Sequence, residues 1–398
     1  MKTLTLPNNN ESNRILSALK PIFFLERCCG IFRFRVDGEL FLPAKRRMRI
    51  IGFFIYLIYS ILYLTLTVGF VTQFKTARIV EVIPSLMTFF QYTVTIAMQL
   101  FVEDHDIINI FKLLENIDRS LRIAIDDNLY EDSRMETLKL LGLLCLSYLS
   151  MTVFNIFNEV EIKMEYFVSL PIYFESELEI LLFYKLIGMI RKRMVVINKY
   201  FSKFTTRRLY SKTFMLDRSD TVFVIEQCPD YIGRASVDNI EILGLTETYY
   251  QIGEVCVMIN RIFNLVILTT FISSFSFIII TFWSSLYYFQ TNKTYRYLLK
   301  IVVWSSTQII AVVMLSLNCE KLLQTKEKTK VLVNNVVMDY ELPKVMRMQA
   351  KVFMNSLQVW PLRVFIYDMF CTDLQCIFKI ISLCTTYLIV VIQVTHFL

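Results

Sequence analysis

The stretch KRRMRIIGFFIYLIYSILYLTLTVGFVTQF, residues 45–74, decides the fold class of this chain. Its first five residues include four basic side chains, and the next 25 residues carry no charge. A helix needs roughly 20 apolar residues to cross the hydrocarbon core of a bilayer. The stretch therefore predicts a membrane-spanning helix with a basic flank. The 44 residues before it contain no apolar core of the kind found in a signal peptide, so this helix is expected to direct membrane insertion.

Six further apolar windows follow, at residues 82–102, 138–157, 166–190, 262–289, 298–318 and 376–398. Hydrophobic residues make up 55% of the 398, with a mean hydropathy of +0.49, which is more apolar surface than a soluble globule can cover. The predicted fold class is an all-α membrane protein with seven transmembrane helices. The fourth window contains Glu175, Glu177 and Glu179, which are expected to face protein or a wet cavity because charge in lipid is costly.

The distribution of basic residues predicts the orientation of the chain. With a cytoplasmic amino terminus, 33 of the 42 Lys and Arg residues fall on the cytoplasmic side and five in the outer loops. Basic residues resist translocation, so this orientation is favoured and places the carboxy terminus outside the cell. The sequon Asn292-Lys293-Thr294 then lies in a short outer loop, which makes Asn292 a predicted glycosylation site.

The windows divide the chain into four predicted parts: a cytoplasmic segment (1–47), a six-helix ligand-binding bundle (48–318, with 191–261 mostly cytoplasmic), cytoplasmic anchor helices (319–375) and a seventh helix (376–398). Two inner stretches show helical periodicity and are predicted to continue spans two and five into the cytoplasm. Residues 205–238 lack a period and are predicted to form a mobile loop. The periodic residues are Ile107, Ile110, Phe111, Leu114, Ile117 and Leu121, and Ile242, Leu245, Tyr249, Ile252, Val255 and Ile259.

The sequence offers little support for an enzyme or a nucleic-acid-binding protein. The net charge of +7 is interleaved with the spans and forms no single basic patch. Neither of the two histidines has an acid, Ser or Cys at the spacing of a triad or a zinc site, and the nine cysteines are expected to be free thiols. We therefore expect no catalytic residues, no metal, no cofactor and no nucleic-acid partner.

A polar stripe runs along the last window. Lys379, Ser382, Thr386, Ile389 and Gln393 share one face of an otherwise apolar helix. In a membrane, such a stripe must meet water or copies of itself, which suits a helix that lines a pore. The alternative is that these groups pack against neighbouring spans of the same subunit, and spacing alone leaves both open.

The same region resembles insect gustatory receptors. Residues 386–393, TYLIVVIQ, resemble the family's carboxy-terminal signature of Thr-Tyr, five hydrophobic residues and Gln-Phe. Residues 365–370, FIYDMF, resemble its Gly-Phe-x-x-Asp approach to the last helix, and Asn260 with Phe263 is similar to its Asn-x-x-Phe motif. Val394 departs from the pattern where Phe is usual, and Val364 stands where Gly is expected.

The resemblance implies a ligand-gated, non-selective cation channel in the plasma membrane, on the dendrite of a sensory neuron. It also implies a homotetramer, or a hetero-oligomer with related receptors, in which the seventh helices surround one pore. Gln393 and Val394 would form the gate, with Thr386, Ile389 and Ser382 along the conduit. Lys379 would stand at the inner mouth, with Asp373 or Asp368 as candidates to neutralise it. Sugar-responsive members commonly have Glu where this chain has Leu388, which favours bitter or plant-derived ligands.

A small organic ligand arriving from outside should bind between spans two to six, where aromatic and polar groups can converge. Glu175 and Glu179 stand out among the polar groups of this region because buried carboxylates are costly, although an ion pair with Lys185 or contact with a Tyr is the structural alternative. The predicted ligand-binding residues are Tyr92, Tyr148, Asn155, Tyr173, Glu175, Trp283, Tyr287, Trp304 and Gln308.

Other receptor classes remain as alternatives. An odorant receptor or a sugar (fructose-like) receptor channel would belong to the same superfamily. A seven-helix receptor coupled to a cytosolic signalling protein would need the opposite orientation. A transporter would ordinarily show paired Gly or Pro breaks near the middle of its spans.

Overall fold

The computed structural model of the chain describes residues 11–37, 40–73, 79–101, 105–123, 128–158, 164–214, 240–290 and 295–397. Within these residues the chain forms ten helices and two short antiparallel hairpins. The elements are α1 (Glu11–Cys28), β1 (Phe34–Asp37), β2 (Leu40–Pro43), α2 (Arg46–Gln73), α3 (Ile79–Phe101), α4 (His105–Ser120), α5 (Asn128–Asn158), α6 (Met164–Phe214), α7 (Ile240–Gln290), α8 (Tyr295–Met338), α9 (Lys344–Val359), β3 (Phe365–Ile366), β4 (Phe370–Cys371) and α10 (Leu374–Phe397).

Each predicted span coincides with a separate helix: α2, α3, α5, α6, α7, α8 and α10. Four of them contain stretches that are long and apolar enough to cross a membrane, at Arg46–Thr67, Tyr130–Val153, Ile242–Trp283 and Ser305–Met338. A shorter apolar stretch runs along α10 at Leu374–Val390. The all-α architecture predicted from the sequence is confirmed, and the two hairpins are additions that the sequence analysis did not anticipate.

Three helices are much longer than a bilayer is thick. Helices α6 and α7 each have 51 residues and α8 has 44. At about 1.5 Å per residue they measure roughly 65 to 75 Å, against a hydrocarbon core of about 30 Å. They are therefore too long to lie entirely within a bilayer.

One prediction about the inner stretches needs correction. The predicted continuation of span two stays a prediction, because residues 102–104, between α3 and α4, lie outside the described residues. The predicted loop at 205–238 is helical over its first part, since α6 continues to Phe214. The apolar period had faded there, but the helix is continued by its own backbone hydrogen bonds. Residues 215–239 lie outside the described residues. The continuation of span five was correct, as α7 is unbroken.

The largest hydrophobic core is built mainly from residues of α1, α4, α5, α6, α7, α8 and α9. Both predicted periodic stripes are buried in it: Phe111 and Leu114 of α4 and Ile252 and Val255 of α7 are at most 1% exposed. Helix α9 packs against α7 and α8, and its Phe353 contributes to the same core. The two stripes are therefore surfaces that pack against other helices of the chain.

A buried ion pair joins α4 to α6 beside this core. The Arg193 guanidinium lies 2.6 Å from the Asp118 carboxylate and donates to the Tyr130 hydroxyl at 3.1 Å. Tyr130 in turn donates to Asp118. Burial alone would lower the pKa of Arg193, but the Asp118 carboxylate and Tyr130 together outweigh it, and the pKa is raised. The guanidinium therefore stays charged, and its pairing holds the two helices in register.

Helices α2 and α5 present apolar side chains outward. Ile58 of α2 and Leu143 of α5 are each 65% exposed, and Leu146 is 61% exposed. In water such surfaces would be unfavourable, whereas in a bilayer they meet lipid chains of the same polarity. The outer surface of the bundle is thus the surface of a membrane protein.

Candidate functional site

The polar stripe of α10 lies on the outside of the subunit. Ile389 is 52% exposed, and Lys379, Ser382, Thr386 and Gln393 are all exposed as well. The alternative that this stripe packs against spans of its own subunit is therefore wrong. The polar stripe therefore faces away from the helices of its own subunit.

The opposite side of α10 packs against the rest of the chain. Cys376 and Cys384 are buried at 4% and 6% exposure. The Tyr387 ring meets Phe275 of α7 edge to face at a centroid distance of 5.6 Å. Helix α10 thus has one face fixed by its own subunit and a polar face turned away from it.

A hairpin places the start of α10 against α7. Strands β3 and β4 pair through Ile366 and Phe370, and the turn between them contains Tyr367 and Asp368, both with positive φ. Non-glycine residues rarely adopt this conformation, so surrounding contacts must hold it. The Tyr367 amide donates to Asn264 Oδ1 of α7 at 2.9 Å. The turn is therefore fixed to the middle of α7.

Asp373 begins α10 as its amino-terminal cap. Its Oδ1 accepts a hydrogen bond from the amide of Cys376 at 3.1 Å, which satisfies one of the unpaired donors of the first turn. A carboxylate here also interacts favourably with the helix dipole. Of the two acids predicted to neutralise Lys379, Asp373 lies at the amino-terminal end of α10, and Asp368 belongs to the hairpin turn.

Trp360, which follows α9, is clamped against α7. The Tyr249 hydroxyl donates to the Trp360 carbonyl at 2.6 Å, and the Tyr250 ring meets the Trp360 ring at 5.2 Å. A Cβ on Gly253 would lie 2.5 Å from the indole, so only glycine allows this contact without displacement. The clamp connects the amino-terminal part of α7 to the segment that leads into α10.

Several predicted ligand-binding residues lie along α5, α6, α7 and α8. Tyr148 is 8% exposed and meets Phe174 edge to face at 5.3 Å. Tyr173 meets Phe277 at 6.4 Å. Gln308 is 7% exposed, and the Ser274 hydroxyl lies 3.4 Å from its carbonyl. These residues line helix contacts rather than the outer surface, and Trp283 is half-buried on α7.

Tyr92 and the buried glutamates contact the segment that follows α1. The Tyr92 hydroxyl donates to the carbonyl of Cys29 at 3.0 Å. Arg33 forms an ion pair with Glu179, and it lies 3.2 Å from Glu26. The alternative pairing of Glu179 with Lys185 is wrong, because Lys185 Nζ lies 3.0 Å from Glu136 instead. The sequence analysis missed Arg33, since a partner 146 residues away leaves no signal in local spacing.

Some predicted site residues cannot be placed. Asn292 lies outside the described residues, and the side chains of Asn155, Tyr287, Trp304 and Val394 are also outside what the structure describes. Over the described part of the chain, no three His, Cys, Asp or Glu side chains are grouped so that they could hold a metal ion.

The fold is similar to that of solved chemoreceptors. The insect olfactory receptor OR5 from Machilis hrabei superposes with a TM-score of 0.67 at 11% identity, covering 96% of this chain and 100% of that chain. The same receptor in complex with eugenol superposes with a TM-score of 0.63, at the same identity and coverage. At this identity the likeness concerns the fold alone. No curated protein matches the chain.

A family profile covers almost all of the sequence. The profile described as 7tm Chemosensory receptor matches residues 19–395, from within α1 to near the end of α10. This is a family of receptors and not of enzymes. Because this profile covers almost the whole chain, the chain is a member of the 7tm chemosensory receptor family.

Proposed function

We propose that this chain is a gustatory-type chemoreceptor, a ligand-gated and non-selective cation channel opened by a small organic tastant. The observation that carries the proposal is the exposure of Lys379, Ser382, Thr386 and Gln393 on the side of α10 that turns away from its own subunit. Polar groups in lipid are costly, and an ionisable one is more so. Copies of α10 arranged around a water-filled axis would give these groups water to contact.

The proposed assembly is a homotetramer in the plasma membrane, or a hetero-oligomer with related receptors. The amino terminus is cytoplasmic and the carboxy terminus extracellular, which the excess of basic residues in the inner segments supports. Residues 48–318 form the ligand-binding bundle, and 319–375 form the anchor outside the membrane. In this arrangement Asn292 is extracellular and available for glycosylation.

The proposed gate is Gln393 with Val394, and Thr386 and Ile389 line the conduit below it. A ligand can open this gate only by binding the open state more tightly than the closed state. We propose that it binds near Tyr148, Tyr173 and Gln308, where helix contacts would rearrange around it. Helix α7 would transmit the change, because it contacts Tyr387, the hairpin turn and Trp360.

The preferred ligand class is bitter or plant-derived compounds, because Leu388 stands where sugar-responsive relatives have Glu. An odorant receptor is the second candidate, and it is favoured by the likeness to an insect olfactory receptor solved with eugenol. Currents from cells expressing the chain alone, exposed in turn to alkaloids, sugars and eugenol, separate these classes. Responses to sugars without responses to alkaloids would reject the preferred class.

A cysteine-accessibility experiment tests the channel directly. Gln393→Cys should become modified by a water-soluble thiol reagent during opening, and the modification should block the current. The matched control is Ile381→Cys, since Ile381 is 55% exposed on the same helix but lies about 120° around the axis from the centre of the polar stripe. Equal effects at both positions, or no effect at Gln393, would exclude α10 as the pore helix.

A further inference from the structure

Residues 29–34, which follow α1 and end at the first residue of β1, insert among the helices of the bundle. Ile31 is 1% exposed and packs in a small core whose other buried members come from α2, α3 and α6. The Cys29 carbonyl accepts a hydrogen bond from the hydroxyl of Tyr92 in α3. The buried members of this core besides Ile31 are Tyr63, Tyr92, Ile96, Val168 and Ile172.

Two glycines allow this insertion. Gly30 has φ +88°, a conformation that favours glycine, and it lies directly against α2. A Cβ on Gly52 would lie 2.3 Å from the Gly30 carbonyl oxygen, which is a backbone atom and cannot rotate away. The close approach of the segment to α2 therefore depends on the absence of a side chain at Gly52.

The inserted segment brings one cation to a group of buried acids. Arg33 Nε lies 3.2 Å from Glu26, and its Nη2 pairs with Glu179. Glu26 and Glu179 are each 1% exposed. Among the described residues, Arg33 is the cation that acts on both Glu175 and Glu179. One guanidinium is thus shared by carboxylates from α1 and α6.

Glu175 lies one helical turn before Glu179 and has no exposed surface. It interacts electrostatically with Glu179, Arg33 and Glu26, which places it beside this group. Neither of its carboxylate oxygens has a hydrogen-bond partner in the described part of the chain. The neighbouring Thr95 hydroxyl donates to the carbonyl of Gln91 at 3.2 Å. An ionised Glu175 would therefore be a buried charge without a partner of its own.

The other titratable groups around the site add no positive charge. They are the thiols of Cys28 in α1 and Cys29 in the inserted segment, and the phenols of Tyr92 in α3 and of Tyr56 and Tyr59 in α2. The described acids are not arranged to hold a metal ion. A buried unpaired carboxylate costs several kcal/mol, whereas a neutral carboxylic acid costs far less. A proton is the ligand that this arrangement fits.

We propose that Glu175 is a buried proton-binding site, occupied while residues 29–34 are docked against α6. The proton removes the charge that Arg33 leaves uncompensated, and so it stabilises the docked segment. The coupling is reciprocal, because displacement of the segment admits water to Glu175 and releases the proton. Docking therefore weakens as pH rises. The site is independent of whether the chain conducts ions.

Infrared spectroscopy of the purified full-length protein in lipid tests this site. A protonated carboxylic acid has a C=O stretching band that an ionised carboxylate lacks. At neutral pH, Glu175→Gln should lose the band of one such acid relative to the unmodified protein. The control Glu247→Gln removes an exposed carboxylate of α7 and should lose none. Indistinguishable spectra of the two variants in this region would overturn the proposal.

A second pair of variants keeps all three carboxylates and tests the coupling to docking. Gly52→Ala should displace residues 29–34 and lose the same band at neutral pH. Gly142→Ala makes the same substitution in α5, where a Cβ meets nothing within 4 Å, and should keep it. Retention of the band in Gly52→Ala would refute the coupling. If Glu175→Gln does not fold, this glycine pair decides the proposal alone.

Discussion

Gly253→Ala should move Trp360 and with it the segment that leads into α10. A Cβ at this position would lie 2.5 Å from Cδ2 of Trp360 and 2.7 Å from Cε3 and Cγ. Carbon atoms in contact prefer about 3.5 to 4.0 Å, so the ring must retreat by roughly 1 Å. Tyr249 holds the Trp360 carbonyl and Tyr250 meets its ring, so the displacement cannot be confined to the indole.

Two opposing terms set the size of the effect. Overpacking of this kind costs about 1 to 3 kcal/mol. Replacing glycine by alanine inside a helix stabilises the folded protein by about 1 kcal/mol. Gly253→Ala should therefore be destabilised by about 0 to 2 kcal/mol, by the sum of these two terms. Gly244→Ala should have only the stabilising effect on the helix, because a Cβ at Gly244 meets nothing within 4 Å. The free energies of unfolding of the two variants should therefore differ by about 1 to 3 kcal/mol.

Thermal unfolding of the full-length protein, followed by size-exclusion chromatography after heating, measures this difference. In expressing cells, Gly253→Ala should also shift the concentration of ligand that gives half-maximal current, whereas Gly244→Ala should leave it unchanged. If Gly253→Ala is as stable as Gly244→Ala and gates normally, then Trp360 is not fixed against α7 and the reasoning fails.

Three further predictions concern separate parts of the chain. Arg193→Met should destabilise the protein by about 3 to 5 kcal/mol, because the buried Asp118 carboxylate loses the cation of its ion pair; Asp118→Leu in the same chain should recover part of the loss in a thermal unfolding assay, and no recovery would contradict the pairing. Burial raises the pKa of the Cys29 thiol to about 12, so about one in 10⁵ of these thiols is ionised at pH 7. Maleimide labelling at positions 28 and 29 of opened membranes, read by mass spectrometry of the peptide that contains them, should thus fall sharply in Cys28→Ser and be nearly unchanged in Cys29→Ser. It should recover in Cys28→Ser as pH rises towards 12, and rapid labelling of Cys29 at pH 7 would be the contrary result. Lys379→Gln should raise single-channel conductance to cations, since it removes a positive charge from the proposed inner mouth, and an unchanged conductance would place Lys379 off the ion path.

The membrane architecture could be predicted because lipid and water act on local properties of the chain. The apolar run at 50–74 and its basic flank suffice to predict a spanning helix, and α2 lies there. The same reasoning succeeded for the stripes through Leu114 and Ile252, because a helical period reports which face is buried. It failed at 205–214, where helix continues without an apolar period.

The polar stripe of α10 could be predicted from the local sequence, but the direction in which it faces could not. Its existence is visible in the spacing of Lys379, Ser382, Thr386 and Gln393. Whether it faces its own subunit or away from it depends on which side of α10 packs on α7, and that is decided by contacts such as Tyr387 with Phe275. The sequence left two options open, and the tertiary structure removed one.

Local sequence sufficed to predict where the apolar helices lie and which faces of α4 and α7 are buried, because these properties depend on residues close together in the chain. Only the tertiary structure decided that Arg33 pairs with Glu179, that Gly253 accommodates Trp360 and that Asn264 holds the turn at Tyr367. These contacts join residues more than 100 positions apart, and their energies exist only once the helices have packed.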